Sequence, residues 1–375
     1  MSLTDRERAA LARARELAEG GRGRVSPNPL VGAVVLRDQR TVAEGWHAGP
    51  GLPHAEAMAL AAAGEEARGA TVVCTLEPCS HHGRTPPCAD ALAAAGVARV
   101  VIGCADPLER ERAQGREVLR AAGIDVVVAN GADGLACAEQ NAAFLTWTIT
   151  GLPHVTVKLA TSLDGKIATA TGESRWISGP GSRALVHRWR ADHDGVAVGL
   201  GTALADDPRL TARDVEGPVR QPARVVFDSS ARLPLGSALV LGARELPVIV
   251  LAAADAPPDR VAALEAAGAE VVLLPGGPAE RIGAGLRALG ARGIQSLLVE
   301  GGAELAGAMV AAGAVDRVAW FLAPLLIGGR DAPSAIGGPG APALGAAPRL
   351  EGLTCERVGE DLLVTGRLRP LAGAG

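Results

Sequence analysis

The chain has 375 residues, of which 48% are hydrophobic and 21% are charged, and its formal net charge is −4. This composition excludes a disordered chain and predicts two domains of roughly 100–200 residues each. The net negative charge argues against a basic surface that binds nucleic acids. No apolar run approaches the ~20 residues that a membrane helix needs. The first residues lack the order of a signal peptide, so we expect a cytoplasmic protein whose six cysteines are thiols or metal ligands.

The first part of the chain predicts strands that alternate with helices. A capping box, Thr4 to Glu7, opens a helix that ends at Gly20-Gly21. Strands are expected at 31–36, 41–46, 71–75, 98–103 and 125–129, and alanine-rich helices at 54–64, 87–95 and 111–122. This alternation indicates a layered α/β sheet.

A second alternating series begins at His154, after a segment at 144–151 that we interpret as a short tether. Its predicted strands are 154–160, 196–199, 223–228, 247–252, 270–274, 295–300, 315–323 and 362–365, its helices are 181–192, 257–267, 279–290 and 303–312, and 328–350 is a Gly/Pro/Ala-rich loop. We therefore place a boundary near residue 150, between a domain at 1–145 and a domain at 146–375.

Three side chains have the types and order of a catalytic zinc site. His54 opens a predicted helix, Cys79 follows Pro78, and Cys88 comes nine residues later. These ligands leave the fourth position of a tetrahedral Zn²⁺ open for water, which zinc activates at neutral pH. Glu56, two residues after His54, is placed to carry a proton from that water to a leaving ammonia. The pattern H-x-E…P-C…C is typical of zinc nucleobase deaminases.

Alternatives to a catalytic deaminase stay open at this stage. The two cysteines depart from the usual Cys-x-x-Cys spacing, and His81 or His82 could act as a further ligand and close the site into a structural Cys2His2 centre. A closed site would suit a binding or regulatory module, which has no need of Glu56. A nucleic-acid deaminase is disfavoured by the net charge and by an aromatic content of 2%, which leaves few platforms for base stacking.

In the second half, a strand ending in Gly301-Gly302 leads into a predicted helix. Such a turn exposes backbone N–H groups at the positive end of the helix dipole, where a pyrophosphate binds well. The glycine pair alone is a weak signal. No G-x-G-x-x-G fingerprint opens this half, so a Rossmann fold is not indicated.

Taken together, the motifs resemble the bifunctional riboflavin-biosynthesis deaminase/reductase family over nearly the whole chain. The resemblance rests on Pro27-Asn28-Pro29-x-Val31-Gly32, on His54-Ala55-Glu56, on T-L-E-P-C-S-H-H-G-R-T-P-P-C at 75–88, and on segments 157–166, 172–178, 190–192, 201–213 and 297–302. One departure is the charged segment 108–115, which stands where the family has a second Asn-Pro and glycine-spaced residues. It puts in question how this loop meets the deaminase substrate.

The resemblance implies a fold and an activity for each domain. The first would be a cytidine-deaminase-like three-layer α/β/α domain that uses one Zn²⁺ per chain to deaminate 2,5-diamino-6-ribosylamino-4(3H)-pyrimidinone 5′-phosphate. The second would be a dihydrofolate-reductase-like α/β domain that uses NADPH to reduce the ribosyl side chain, giving 5-amino-6-(5-phosphoribitylamino)uracil. The alternative is a single-activity zinc deaminase whose second domain binds a nucleotide without catalysis. We expect small-molecule substrates, no nucleic-acid or membrane partner, and a homo-oligomer.

The resemblance also implies roles for residues of the second domain. Cofactor contacts are expected at Ala160, Trp176, Thr202, Asp206, Gly302, Ala303, Glu304, Leu305, Ala306, Gly307 and Ala308, and substrate contacts at Ser174, Arg190, Leu210, Arg213 and Glu300. The arginines suit a sugar phosphate, which guanidinium binds bidentately. Ser229 and Arg232, after a predicted strand, are expected to hold the 2′-phosphate of NADPH.

Of the 37 basic residues, only Lys158 and Lys166 are lysines. On the predicted strand 154–160, Lys158 shares a face with Ala160 and is expected to point into the cofactor cleft. A partly buried lysine exchanges a proton near neutral pH, whereas arginine stays charged. We therefore predict that Lys158 is the catalytic proton donor of the reductase and that Lys166 meets solvent.

Overall fold

The computed structural model describes residues 3–81, 86–107, 115–217 and 219–372, and the chain divides into two compact units. One unit is Met1–Gly151 with Leu371–Gly375, and the other is Leu152–Pro370. Each unit has its own β-sheet and its own buried core. Across the described ranges, no helix combines the length and the apolar character needed to cross a bilayer.

The first unit contains a five-stranded sheet. Its strands are β1 (Gly32–Arg37), β2 (Arg40–Trp46), β3 (Thr71–Leu76), β4 (Arg99–Cys104) and β5 (Asp125–Val128), and its helices are α1 (Asp5–Ala18), α2 (Ala55–Ala63), α3 (Cys88–Ala95), α4 (Gly115–Ala121), α5 (Gly131–Gln140) and α6 (Ala142–Thr150). The strand order is β2-β1-β3-β4-β5. Strand β1 is antiparallel to both neighbours, and β3, β4 and β5 are parallel.

The helices of this unit cover both faces of the sheet. A Cβ on Gly32 would lie 1.9 Å from the carbonyl oxygen of Ala14 in α1, and a Cβ on Gly45 would lie 2.4 Å from that of Ala55 in α2. Gly45 pairs with Ala33, the residue after Gly32, and successive strand residues point to opposite faces. Helices α1 and α2 therefore pack on opposite faces, and the predicted three-layer α/β/α arrangement is confirmed.

The second unit contains a nine-stranded sheet. Its strands are β6 (His154–Ser162), β7 (Gly195–Gly199), β8 (Ala223–Phe227), β9 (Val248–Ala253), β10 (Glu270–Leu274), β11 (Ser296–Glu300), β12 (Arg317–Ala323), β13 (Glu351–Val358) and β14 (Asp361–Arg367), and its helices are α7 (Pro180–Asp192), α8 (Leu200–Asp206), α9 (Ala238–Leu241), α10 (Pro258–Ala266), α11 (Pro278–Ala291) and α12 (Ala303–Ala311). The order is β10-β9-β8-β7-β11-β6-β12-β14-β13. The strands from β10 to β12 are parallel, whereas β14 is antiparallel to both of its neighbours, β12 and β13.

The direction of strand addition reverses between β7 and β11. From β7 the chain moves outward through β8, β9 and β10, and it then returns to place β11 between β7 and β6. The connections after β7 and β11 lead away from each other, which opens a crevice at the carboxyl ends of these strands. Ligands of open α/β sheets bind at such a switch point.

One predicted element is wrong, because residues 144–151 do not form a tether. Helix α6 covers Ala142–Thr150, and Phe144 and Leu145 pack in the core of the first unit. The run F-L-T-W-T-I is rich in aromatic and β-branched residues, which local propensity does not assign to a helix, and burial overrides that preference. Helices α5, α8 and α9 and strand β13 were also not predicted. Most of the charged segment 108–115 lies outside the described residues, which resume at Gly115.

Candidate active sites

The proposed zinc ligands come together from three elements of the first unit. His54 is the N-cap residue of α2, Cys79 follows β3, and Cys88 is the first residue of α3. His54 Nδ1 lies 3.5 Å from Cys79 Sγ and 3.3 Å from Cys88 Sγ. The Cys88 backbone N–H donates to Cys79 Sγ over 3.3 Å, so the start of α3 stabilises negative charge on that sulfur.

The geometry of this cluster fits a tetrahedral cation. Zinc binds sulfur at ~2.3 Å and nitrogen at ~2.0–2.1 Å, which places tetrahedral N and S ligands about 3.5 Å apart. The ligand atoms of the three residues all lie within 4.8 Å of one another. Hydrogen bonding from Cys88 lowers the pKa of Cys79, and the same contact raises the pKa of Cys88, so one proton serves both sulfurs. A divalent cation would replace that proton.

Glu56 lies beside the cluster without belonging to it. It sits in the first turn of α2 and is only 3% exposed. Burial raises the pKa of Glu56 to about 7, and its carboxyl group contacts the Cys88 thiol. The arrangement is three ligands with a separate carboxyl group close by.

The described residues provide no fourth protein ligand to this cluster. His81 is half-buried and is not among the three grouped residues. His82 lies outside the described residues. In the described part of the chain, the cluster therefore has the three-ligand form of a catalytic centre rather than the closed form.

Sequence reasoning missed a buried histidine next to the metal cluster. The rings of His47 and His54 meet edge to face, with centroids 5.3 Å apart. His47 Nδ1 donates to the Pro53 carbonyl over 3.1 Å, which leaves Nε2 to accept from the Asn28 amide over 2.9 Å. Burial lowers the pKa of His47, which favours its neutral form. The signal in the sequence that could have identified His47 was its position directly after the predicted strand 41–46.

The second unit has a large cavity at the carboxyl ends of its parallel strands. Its volume is about 1510 Å³, and its lining includes residues at or just after the ends of β10, β9, β8, β7 and β11, and along β6. These six strands are adjacent, and a spacing of ~4.8 Å makes the row about 24 Å wide. Single-ligand pockets measure roughly 300–1,000 Å³. The cavity therefore has room for an extended ligand and a second molecule.

The cavity brings together most of the predicted site residues. The lining includes Lys158, Ala160, Ser174, Trp176, Arg190, Thr202, Asp206, Leu210, Arg213, Ser229, Glu300, Gly302, Ala303, Glu304, Leu305 and Ala308. Ala306 and Gly307 do not line it. A Cβ on Gly307 would lie 2.3 Å from the Gly337 carbonyl oxygen, and Ala306 packs in the core. The predicted run 302–308 is divided in this way because successive residues of a helix face different directions.

The turn after β11 needs glycine. Gly301 and Gly302 have φ values of 82° and 89°, which are unfavourable for other residues. A Cβ on Gly302 would lie 3.1 Å from Thr202 Oγ1, so the turn also approaches α8 closely. The first backbone N–H groups of α12 have no hydrogen-bond acceptor within the helix, and this end of the helix lies at the cavity wall.

Lys158, Glu300 and Arg190 form a charged group near the switch point. Lys158 on β6 is the register partner of Glu300 on β11. Arg190 donates to both carboxylate oxygens of Glu300, Nε over 2.5 Å and Nη2 over 2.7 Å. Burial acts to raise the pKa of Glu300, but Arg190 outweighs it and the pKa lies below its usual value. Burial lowers the pKa of Lys158.

Two predicted roles do not match these contacts. Arg190 uses its guanidinium on Glu300 and on the Thr211 carbonyl, 3.1 Å away, so it has few donors left for a phosphate. Lys166 does not simply meet solvent, because its ammonium donates to the Ala332 carbonyl over 2.8 Å. Glu300 is 110 positions from Arg190 and Ala332 is 166 positions from Lys166, which is why these two contacts could not be predicted.

The cavity also contains residues that sequence reasoning missed. Arg183 is one of them, and its guanidinium lies 4.7 Å from the ring centroid of Trp176, a predicted cofactor contact that is 70% exposed. His187 lines the cavity one turn after Arg183 on α7, and Arg281 lines it from the first turn of α11. Arg232 is exposed and is not part of the lining.

Comparisons with known proteins agree with this architecture. The family model for the RibD C-terminal domain matches residues 153–364, and the model for the cytidine and deoxycytidylate deaminase zinc-binding region matches residues 4–104. Riboflavin biosynthesis protein RibD of Bacillus amyloliquefaciens is 40% identical over 93% of each chain. RibD of Escherichia coli is 40% identical over 94% of this chain and 96% of its own.

Solved structures are similar over both units. A diaminohydroxyphosphoribosylaminopyrimidine deaminase/5-amino-6-(5-phosphoribosylamino)uracil reductase from Thermotoga maritima has a TM-score of 0.81 and 36% identity, covering 96% of this chain and 98% of its own. Acinetobacter baumannii RibD also has a TM-score of 0.81, with 33% identity and the same coverage. The predicted pairing of a deaminase-like and a dihydrofolate-reductase-like domain is confirmed. The chain therefore belongs to the RibD family, the bifunctional deaminase and reductase enzymes of riboflavin biosynthesis.

Proposed function

We propose that the first unit deaminates 2,5-diamino-6-ribosylamino-4(3H)-pyrimidinone 5′-phosphate with one zinc ion per chain, and that the second unit reduces the ribosyl side chain of the product with NADPH. The zinc-ligand geometry of His54, Cys79 and Cys88, with Glu56 beside it, is the observation that carries the proposal. The substrate names come from the family and from the Thermotoga maritima relative. Six free cysteines, two of them in the metal cluster, support a reducing compartment such as the cytoplasm.

In the deaminase unit, Glu56 carries the proton. Zinc held by His54, Cys79 and Cys88 would supply an activated water at neutral pH. Glu56 accepts a proton from the attacking water and passes it to the amino group on C2 of the pyrimidine. The C2–N bond then breaks and ammonia leaves, and the water oxygen remains on C2 as the new carbonyl while the second proton of the water ends on the adjacent ring nitrogen. Burial of Glu56 keeps solvent from competing for that proton.

In the reductase unit, Lys158 donates the proton. NADPH bound along the cavity would supply a hydride to C1′ of the ribosyl group. The bond between C1′ and the ring oxygen breaks, and the ring oxygen takes its electron pair together with a proton from the Lys158 ammonium. Lys158 lines the cavity at the register position of Glu300, and burial lowers its pKa, which makes proton loss easier.

Arg190 acts through Glu300 in this scheme. Its bidentate contact holds the buried carboxylate in one orientation, where Glu300 can accept hydrogen bonds from sugar hydroxyls. Arg213 is exposed and its side chain contacts only a nearby hydroxyl, that of Thr211 at 2.9 Å, among the contacts described for it. Arg213 is therefore the better phosphate partner, and Arg190 is a positioning residue.

Two separate assays on the full chain test the proposal. Ammonia release from the diaminopyrimidine substrate measures the first activity, and NADPH oxidation with the deaminated intermediate measures the second. We expect both activities, one zinc per chain by elemental analysis, and loss of ammonia release alone when zinc is chelated. NADPH oxidation without ammonia release in the zinc-loaded protein, or the reverse, would show a single-activity enzyme.

We also propose that the protein is a homo-oligomer that uses the β13 edge of the second sheet. Among the described residues, strand β13 has a neighbouring strand on one side only, so its other edge can pair with another strand. Leu353, 61% exposed, and Cys355 add apolar surface to this edge. Light scattering should give a multiple of the 37.8 kDa chain mass, and Leu353→Lys should shift it toward the monomer. A wild-type monomer contradicts the proposal.

A further inference from the structure

The segment 210–214 carries Arg213, the residue proposed to bind the substrate phosphate, at the wall of the reductase cavity. The residues at its two ends, Leu210 and Asp214, have φ values of 53° and 56°, in the left-handed region that is unfavourable for residues other than glycine. A backbone of this kind persists only where surrounding contacts hold it in place. The conformation of the segment therefore depends on its neighbours and not on local preference.

A side chain outside the cavity lining supplies two of these contacts. Gln221 lies two residues before β8 and does not belong to the lining. Its Oε1 accepts from the Ala212 backbone N–H over 2.9 Å, and its Nε2 donates to the Ala212 carbonyl over 2.9 Å. The amide therefore pairs with both main-chain groups of Ala212, the residue directly before Arg213.

Helix α7 holds the residues on either side of Ala212. His187 Nδ1 lies 3.2 Å from the Thr211 carbonyl oxygen and 3.3 Å from the Arg213 backbone nitrogen. Arg190 Nη1 donates to the same carbonyl over 3.1 Å. The backbone of the segment is thus fixed by side chains from two directions along the chain, whereas Arg213 itself is exposed at the cavity.

We propose that Gln221 is a positioning residue of the reductase, which acts through Arg213 to favour a phosphorylated substrate. This inference rests on the proposed phosphate role of Arg213. A guanidinium binds a phosphate through two parallel N–H donors, so its position and its direction must both be fixed. Because Gln221 orders the backbone that carries Arg213 before the substrate arrives, substrate binding does not have to supply that ordering.

Steady-state kinetics of NADPH oxidation by the full chain test the inference, with the deaminated intermediate and with its dephosphorylated analogue. Gln221→Met keeps the length of the side chain and removes both hydrogen bonds. We expect it to raise KM about fivefold for the phosphorylated substrate and less than about twofold for the analogue, with kcat near wild type. Gln140→Met is the matched control, because the Gln140 amide donates to the Arg15 carbonyl in the first unit, and neither constant should change.

The double variant Gln221→Met/Arg213→Ala separates a positioning role from a merely structural one. If Gln221 acts through Arg213, its loss has no further effect once the guanidinium is gone, and the double variant has the KM of Arg213→Ala alone. Independent effects would multiply, so a KM about fivefold above that of Arg213→Ala would overturn the inference. An equal rise for both substrate forms in Gln221→Met, or no rise, would also overturn it.

Failure of the proposed function gives a different result. A wild-type enzyme with the same KM for both substrate forms, or an unchanged KM in Arg213→Ala, would contradict the phosphate role of Arg213 and the inference with it. If Gln221→Met does not fold, Gln221→Glu takes its place, because it keeps the acceptor for the Ala212 N–H and loses the donor to the Ala212 carbonyl. That variant must then show the selective rise in KM, and no further rise when combined with Arg213→Ala, for the inference to stand.

Discussion

The two candidate sites differ in how much chain is needed to build each one. The metal cluster takes its ligands from residues 54–88 and from elements that follow one another. The reductase cavity takes its lining from residues 158–335 and from the ends of six parallel strands. The first site is compact and buried around Glu56, whereas the second is an elongated cleft in which Trp176 stays exposed.

This difference affects how each site responds to mutation. In the cluster we propose one chemical task for each side chain, so we expect a single substitution to remove either the metal or the proton carrier. In the reductase cavity several side chains hold one another, as Arg190 holds Glu300 beside Lys158. A substitution there changes orientation as well as chemistry, and its effect should divide between turnover and substrate binding.

The largest effect is expected from Glu56→Gln. The amide keeps the shape of the carboxyl group but carries no proton, so ammonia release should fall by about 10³-fold. Zinc content and NADPH-dependent reduction of the deaminated intermediate should stay at wild-type values. Ammonia release at the wild-type rate would show that another group moves the proton.

Cys79→Ser and Cys88→Ser should lose zinc and deaminase activity together. A serine hydroxyl is a poor ligand for zinc compared with a thiolate, so we expect deamination to fall at least about a hundredfold at stoichiometric zinc. His81→Asn is the control and should keep its metal. Zinc loss in that variant would mean that His81 is a ligand and that the site has the closed form.

Lys158→Arg tests whether the reductase needs a proton donor or only a positive charge. Arginine keeps the charge and does not release a proton, so NADPH oxidation should fall by about a hundredfold in kcat. Deamination should be unaffected. Wild-type reductase turnover in Lys158→Arg would rule out the proton-donor role, whatever its effect on KM.

Arg190→Ala and Arg213→Ala should separate positioning from phosphate binding. Loss of Arg190 leaves Glu300 buried without its partner, so kcat should fall by about tenfold or more with either substrate form. Loss of Arg213 should raise KM by about tenfold for the phosphorylated substrate and much less for a dephosphorylated analogue. The same pattern in both variants would mean that the two arginines share one role.

The smallest effect is expected from a contact between two exposed loops of the second unit. Asp164 accepts from the Ile327 and Gly328 N–H groups, and the hydrogen bond from Ile327 is the main cause that lowers the pKa of Asp164 from 3.8 to about 2. Because this pKa is lower in the folded protein than in the unfolded chain, ionised Asp164 stabilises the fold at pH values above the ordinary pKa of 3.8. The stabilisation is lost as the pH falls toward 2.

Asp164→Asn should therefore lower the Tm slightly at pH 7, because the amide keeps one acceptor oxygen and loses the other. The difference from wild type should be the same at pH 5.5 and should shrink at pH 3.5. Glu173→Gln, on an exposed part of a nearby loop, is the control. A Tm difference that grows as the pH falls would contradict this assignment.

Much of the local structure follows from patterns of neighbouring residues. Apolar runs that alternate with helical stretches predicted both sheets. The order His54, Glu56, Cys79 and Cys88 predicted a metal centre, because these residues lie at the ends of consecutive elements. Helix α6 escaped prediction because its residues have weak helical propensity, and only burial of Phe144 and Leu145 makes the helix favourable.

The tertiary structure decided the contacts between distant residues. Arg190 and Glu300 are 110 positions apart, and Ser229 and Arg281 are 52 apart. Their meeting depends on which strands become neighbours and in what register, since β11 enters between β7 and β6 only when the whole sheet assembles. Sequence periodicity reports which face a side chain occupies, but it carries no information about which strand end lies beside it. For that reason the sequence by itself determined most of the elements and the three side chains that gather in the metal-type cluster, and the fold alone decided the partners within the reductase cavity.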